Sequence, residues 1–256
     1  IETAGVRFIL TGSSARKLKR GAANLLAGRA RTHHLYPFLA SELGATFDLD
    51  RALRIGTLPW LWAQARRPAE EREFLSSYAN TYLREEVQAE GLVRDIGPFV
   101  RFLDVAAADD GAIVNASTVA RDCGVSVKTV QSYYQILEDT FIGVRVEAHQ
   151  KSVRKRLVAH PRYYFFDMGV TNTLCGETGS ALGRQTRGRR FEQFIVTQTK
   201  AASSYLGAEV ELRFWRTYAG EEVDLLLCRG QKVLAAIEIK SSERELRDLA
   251  GLEAFG

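Results

Sequence analysis

The chain is most constrained between Glu221 and Lys240. Glu221-Glu222-Val223-Asp224-Leu225-Leu226-Leu227 and Lys232-Val233-Leu234-Ala235-Ala236-Ile237-Glu238-Ile239-Lys240 are two apolar runs of strand length, parted by Arg229-Gly230. A turn dipeptide between two such runs predicts a β-hairpin. Charges are costly inside strands unless they are answered, yet Asp224 lies in one arm and Glu238 and Lys240 in the other. Alternation along a strand predicts Glu238 and Lys240 on one face, with one apolar residue between them. Two carboxylates and an ammonium on a sheet face form a donor set for a hard divalent cation, which completes its shell with water and phosphate oxygens. The lysine would position a water or steady charge developing on a phosphate. Ordinary salt bridging across a sheet edge accounts for the same residues without any chemistry.

Upstream, Gly188-Arg189-Arg190-Phe191-Glu192-Gln193-Phe194-Ile195-Val196 predicts the start of a helix. Glu192 on a helix, Asp224 in one strand and Glu238-Ile239-Lys240 in the next together resemble the PD-(D/E)xK nuclease superfamily. The resemblance implies Asp224 as the first motif acid and Glu238-x-Lys240 as the acid-x-lysine element. It implies Mg²⁺ or Mn²⁺ held by Asp224 and Glu238 with help from Glu192, and Lys240 near the reacting phosphate. Relatives of that superfamily also include proteins that keep the fold and lose the reaction.

At 256 residues, the chain has room for one large domain or for two or three small ones. Its 46% hydrophobic and 26% charged residues are ordinary for a globular protein. No apolar run approaches the ~20 residues of a membrane helix, and no secretory signal is visible. Cys123, Cys175 and Cys228 are dispersed without metal-ligand spacing, which argues against a disulfide framework and for a reducing cytoplasm. A net charge of +4 permits nucleic-acid binding without establishing it.

Near the start, Val6-Arg7-Phe8-Ile9-Leu10 predicts a buried strand running into Thr11-Gly12-Ser13-Ser14-Ala15, a small polar turn. This resembles the sensor-1 strand of an AAA+ ATPase, which implies nucleotide contacts for Thr11 and Ser13. Asn24-Leu25-Leu26-Ala27-Gly28-Arg29-Ala30, His33-His34-Leu35-Tyr36-Pro37-Phe38 and Glu42-Leu43 extend the likeness to one prokaryotic family. Its members join an AAA+ ATPase to a winged helix and a nuclease-like C-terminal domain. Arg29 would be an arginine finger in that setting, or a surface arginine at a helix end. No G-x-x-x-x-G-K-[ST] occurs and no Walker B strand precedes Ile1. The chain therefore reads as part of a longer protein. ATP is expected to bind the intact protein and to bind this stretch weakly by itself.

Residues 65–71 read as a charged boundary, followed by a helical pattern from Phe74 to Glu90 whose aromatic stripe is expected to be core. Asp109-Asp110-Gly111 predicts a turn. Ser117 to Leu137 then carries helix-turn-helix grammar, with Gly124 for the tight turn, Ser126 as a helix cap, and Val130, Tyr134 and Leu137 facing inward. Lys128, Gln131 and Ser132, with Val127 and Gln135, fall on the outer face, where they suit phosphates and base edges. Phe141 to Val146 and the basic run from Lys151 to Arg156 read as the strands and turn of a wing, a module used for protein contacts as well as for DNA. His160-Pro161-Arg162 breaks the pattern, Tyr163-Tyr164-Phe165-Phe166 predicts an aromatic strand, and Asp167 predicts a helix cap. Arg187, Arg189 and Arg190 lead into the Glu192 helix, where they would hold a phosphate backbone.

These readings give an α/β multidomain chain. Residues 1–67 are expected to end an AAA+ domain, 68–160 to form a helical winged-helix unit, and 161–256 to form a PD-(D/E)xK-like sheet domain. The expected function is ATP-linked DNA handling with metal-dependent phosphodiester cleavage, in a cytoplasmic protein that self-assembles through its ATPase domain and does not engage membranes. The alternative is a non-catalytic nucleic-acid-binding or assembly module on a degenerate nuclease fold.

Overall fold

The computed structural model describes residue 9 and residues 33–82, 93, 95–150, 160–208, 210–217, 219–241 and 249–256. Thr11, Ser13, Arg29, the basic run from Lys151 to Arg156 and residues 242–248 lie outside the described residues. Within them the chain is a mixed α/β structure with ten α-helices and a five-stranded mixed sheet.

Three short helices come first: α1 (Ala40–Leu43), α2 (Leu49–Ile55) and α3 (Pro59–Trp62). Helix α4 (Pro68–Ser77) follows and runs into a π-helical turn, Tyr78–Tyr82. It starts at Pro68, inside the stretch that charge alone marked as a boundary. Proline suits a first helical position because its missing N–H has no helical partner to lose. The Glu70 carboxylate accepts the Arg67 N–H at 3.0 Å and closes the first turn.

The middle of the chain is α5 (Ile96–Ala108), α6 (Ala116–Cys123) and α7 (Val127–Asp139). Asn115 caps α6 by accepting from Ser117 and Thr118, both at 3.2 Å. Gly124 then turns the chain in the left-handed region at φ 68°, which a side chain would resist. Ser126 caps α7 through the Thr129 N–H at 3.1 Å. Val130, Tyr133, Tyr134, Ile136 and Leu137 are buried against Phe99 and Phe102 of α5. Lys128, Gln131, Ser132 and Gln135 remain exposed.

Strand β1 (Gly143–Ala148) pairs antiparallel with β2 (Arg162–Phe165), in register from Gly143↔Phe165 to Val146↔Arg162. The wing strand expected at residues 141–146 therefore takes as partner the aromatic strand expected in the next domain. The boundary expected at 160/161 runs between two strands of one hydrogen-bonded pair. Arg162, read as part of a break, is the first residue of β2, because its backbone completes the ladder with Val146.

After β2 come α8 (Met168–Leu174) and the long α9 (Arg184–Tyr205), then β3 (Glu211–Arg216), β4 (Glu222–Arg229), β5 (Lys232–Ile237) and α10 (Ala250–Phe255). The sheet order is β2-β1-β3-β4-β5, with β1 parallel to β3 and the other pairs antiparallel. Helix α9 packs Val196 on a face made of Val146, Tyr164, Phe214 and Leu225. Helix α10 packs Leu252 and Phe255 on the opposite face, against Val223, Leu226 and Cys228.

Two distant parts of the described chain meet at Asp167, which is fully buried. Its carboxylate caps α8 through the Val170 N–H at 3.1 Å and also accepts the Thr57 N–H, just past α2, at 2.7 Å. The approach is close: a Cβ on Gly169 would stand 2.1 Å from the Ile55 carbonyl oxygen. Burial, only partly offset by these backbone donors, pushes the Asp167 carboxyl up to about 6. An unfolded aspartate titrates near pH ~3.9. Between about pH 4 and about pH 6 the native chain holds this proton more often than the unfolded chain does. Asp167's contribution to stability is then fullest below about pH 4 and falls as pH rises to about 6. Unfolding free energies measured across this range should show wild type losing roughly 2–3 kcal/mol relative to Asp167→Asn.

Candidate functional site

The pairing of β4 with β5 brings the hairpin's acids together, and β4 carries a defect beside them in its pairing with β3. Arg213 pairs with Leu226 while Trp215 pairs with Val223, so Phe214 of β3 faces both Asp224 and Leu225 of β4. This is a β-bulge, a device that re-aims a side chain. It lets Val223 join the α10 side of the sheet while Leu225 joins the α9 side. Asp224 sits at the bulge and is buried.

Strand β5 ends at Ile237, so Glu238 and Lys240 lie just past it rather than within it. The reason is visible in one bond: the Ile239 N–H goes to the Asp224 Oδ2 at 2.8 Å. Asp224 thus takes the backbone donor that follows the last ladder pair, Leu225↔Ile237. Lys240 Nζ donates to Glu238 Oε1 at 2.5 Å. Glu238 Oε2 is buried without a hydrogen-bond partner.

Glu192 projects from α9 into the same neighbourhood. Its Oε1 accepts from the Tyr164 hydroxyl at 2.6 Å and from Arg162 Nη1 at 3.1 Å. Arg162 Nη2 reaches Glu222 Oε2 at 2.9 Å, and its guanidinium lies 4.6 Å from the Phe214 ring centroid. Burial raises the Asp224 carboxyl above its ordinary range; the Ile239 N–H and the Lys240 and Arg162 charges oppose that rise and Glu222 adds to it. Burial likewise raises Glu192, with Arg162 and Tyr164 opposing and Asp224 and Glu222 adding. Glu238 is raised by burial first, then by Asp224 and Glu222, against the pull of Lys240. Four carboxylates therefore gather here, answered by Lys240 and Arg162, with Arg216 at the edge of Glu222.

Sequence reasoning brought Glu192, Asp224, Glu238 and Lys240 to this place and missed Arg162, Tyr164 and Glu222. Glu222 stands two residues before Asp224 in the same run, and that spacing was its available signal. Arg162 and Tyr164 are polar groups at alternate positions of an aromatic strand, which hints at a polar site on one face.

The expected phosphate-binding arginines all make contacts within the protein, and one of them is buried. They lie inside α9, which begins at Arg184 rather than at Gly188. Arg190 is 2% exposed and is held by Asn172 Oδ1 at 2.6 Å and by Asp110 and Gln193 at 3.4 Å. A guanidinium so enclosed serves packing and has no free face for a phosphate backbone. Arg187 pairs with Asp50, and Arg189 donates to the Ala108 carbonyl at 3.2 Å. The three dock α9 against α2, α5 and α8.

A family model described as a domain of unknown function, DUF8612, matches residues 46–181, more than half of the chain. The chain belongs to that family. A second model, described as a domain of unknown function, DUF4143, matches residues 187–256. DUF4143 is a domain found in AAA-ATPase-associated proteins. No curated protein and no solved structure matches the chain. The DUF8612 stretch takes in α5, α6, α7, the β1–β2 pair and α8, whereas Glu192, Asp224, Glu238 and Lys240 fall in the DUF4143 stretch. The candidate site draws on both, since Arg162 and Tyr164 come from the first.

Among the described residues, no group of three or more His, Cys, Asp or Glu side chains is arranged to hold a metal ion. The donor chemistry nevertheless fits a hard cation. The acids offer oxygen alone, and Glu238 Oε2 is a buried, unpartnered acceptor. No helix among the described residues is long and apolar enough to cross a membrane.

Tyr164 supplies the neutral donor to a buried carboxylate. Tyr164→Phe should keep the fold and cost about 1–3 kcal/mol in urea unfolding, because Glu192 loses a partner that water cannot readily replace.

Proposed function

We propose that the chain is part of an ATP-linked DNA-handling protein, with a winged helix built on α6 and α7 and a PD-(D/E)xK-like site that cleaves phosphodiesters with Mg²⁺ or Mn²⁺. The observation that carries this reading is the Asp224–Ile239 bond, which fixes the acid of one arm against the acid-x-lysine element of the next. Glu192, held by Tyr164, supports it from α9. The DUF4143 match supports the ATPase association. Thr11, Ser13 and Arg29 remain the proposed nucleotide contacts, and self-assembly through the ATPase domain belongs to the same reading.

Asp224 and Glu238 would hold the cation, with Glu192 assisting. The ion, when bound, supplies Lewis-acid polarisation and a water of lowered pKa. Asp224 orients the chain past β5 through its backbone bond, and Tyr164 holds Glu192 at the site's edge. Lys240 brings an ammonium beside the acids, where it would draw in a phosphate and steady its developing charge. Lys128, Gln131 and Ser132 present an exposed polar face on α7 suited to duplex contacts. The rival reading, a non-catalytic assembly module, is favoured by the ion pairs that already engage Glu192 and Glu238.

Calorimetric Mn²⁺ titration beside a cleavage assay on single- and double-stranded DNA separates the two. Asp224→Ala should lose both binding and cutting. Lys240→Ala should still bind Mn²⁺, since an ammonium is not a ligand, and should lose cutting by about a hundredfold or more. A folded wild-type protein that neither binds nor cuts makes the assembly reading the better one. For α7, Lys128→Ala with Gln131→Ala should weaken duplex binding and flatten its salt dependence by about one unit of slope, as one phosphate contact is lost. Unchanged affinity across a salt series would assign this helix to protein contacts.

A further inference from the structure

Among the described residues, Arg162 bridges the carboxylates contributed by α9 and β4. Its side chain is 6% exposed, on a strand otherwise made of aromatic residues. One terminal nitrogen takes Glu192 and the other takes Glu222. Its third nitrogen, Nε, is buried without a partner. A guanidinium placed for complete hydrogen bonding would not leave a donor stranded, since an unmet buried donor costs about 1–3 kcal/mol. Its placement answers charge. Burial works against the guanidinium's charge, yet Tyr164, Glu192 and Glu222 together hold its pKa above the ordinary value. Arg216 also approaches Glu222, at 3.7 Å, but it is half exposed and does not reach Glu192 in the same way.

We infer that Arg162 is a positioning residue of the acid site: its guanidinium supplies the countercharge that keeps Glu192 and Glu222 gathered beside Asp224, in the role a divalent cation's charge would otherwise fill. The inference rests on the proposed metal-binding reading for its second half only. The ion pairs give Arg162 two consequences. Without metal it stabilises the fold by neutralising clustered acids. Towards an incoming cation it acts as a rival, because like charges in a poorly screened site repel. The residue comes from the β1–β2 pair that follows α7, so the DUF8612 stretch sets the charge of a site whose acids lie in DUF4143.

The test compares wild type, Arg162→Gln, Arg162→Lys and the double variant Arg162→Gln with Glu222→Gln, by thermal unfolding with and without Mn²⁺ and by Mn²⁺ calorimetry at mildly alkaline pH. Arg162→Gln should lower the metal-free Tm by about 5 °C or more and bind Mn²⁺ roughly tenfold tighter than wild type. Mn²⁺ should restore most of that Tm loss. Arg162→Lys, which keeps the charge, should stay near wild type on both measures. The double variant, with one acid fewer to answer, should recover part of the metal-free Tm. If Arg162→Lys is as damaged as Arg162→Gln, or if removing Glu222 restores nothing, the side chain acts through shape and the countercharge role is wrong. Recovery in the double variant with no Mn²⁺ binding by any protein would keep that role and overturn the metal reading. Mn²⁺ binding with equal affinity in wild type and Arg162→Gln would keep the metal reading and overturn the rivalry.

Discussion

A buried guanidinium must be answered inside the protein, and the way Arg190 is answered sets the geometry of everything near the candidate site. Asn172 of α8, Asp110 after α5 and Gln193 one turn along α9 all converge on it. The same partners reach further. Asp110 accepts the Phe165 N–H at 2.6 Å, and Gln193 donates to the Phe165 carbonyl at 2.9 Å and to the Thr171 hydroxyl at 2.7 Å. Both backbone groups at the end of β2 are thereby tied to one polar knot, as buried backbone requires. Glu192 sits between Arg190 and Gln193 on α9, and Tyr164 sits beside Phe165 on β2. Their 2.6 Å hydrogen bond follows from how the knot locks helix to strand.

β2 works as a seam. Tyr163 turns to the α7 side, where its hydroxyl donates to Glu138 at 2.7 Å and its ring stacks on Tyr134 with centroids 4.3 Å apart. Arg162 and Tyr164 turn the other way, to Glu192. Alternation along four residues is enough to join the helical core to the acid site. Such a seam explains why a cut at residue 160 looks natural in composition and is absent from the hydrogen bonding.

What could be read from the chain was mostly local. The turn at Gly124, the caps at Ser126 and Asp167 and the hairpin around Gly230 depend on neighbours a few residues away, and their residue types announce them. The acids were legible for a related reason: ionisable groups in apolar strands demand an explanation. Arg190 was not legible as a buried residue because charge in a sequence does not report burial; it finds partners in α8 and just after α5, far along the chain. Arg162 was hidden by the His160-Pro161 pair before it, and its strand partner, β1, precedes it by a segment of unrelated composition. The end of β5 was missed because a side chain, Asp224, competes with the ladder for a backbone donor, which alternation cannot foresee.

The parallel pairing of β1 with β3, Glu147↔Arg213 and Ala148↔Phe214, has a kinetic consequence. The α5–α6–α7 core closes through contacts between near neighbours, which form quickly, whereas the β1–β3 contact must bring together positions separated by α8 and all of α9. During synthesis the helical core can pack while β3 and β4 are still to come. The acid site, with its strand contributors on both sides of that long connection, then assembles after the helical core. Until β4 arrives, Arg162 waits on a finished β1–β2 pair without one of the carboxylates it will hold.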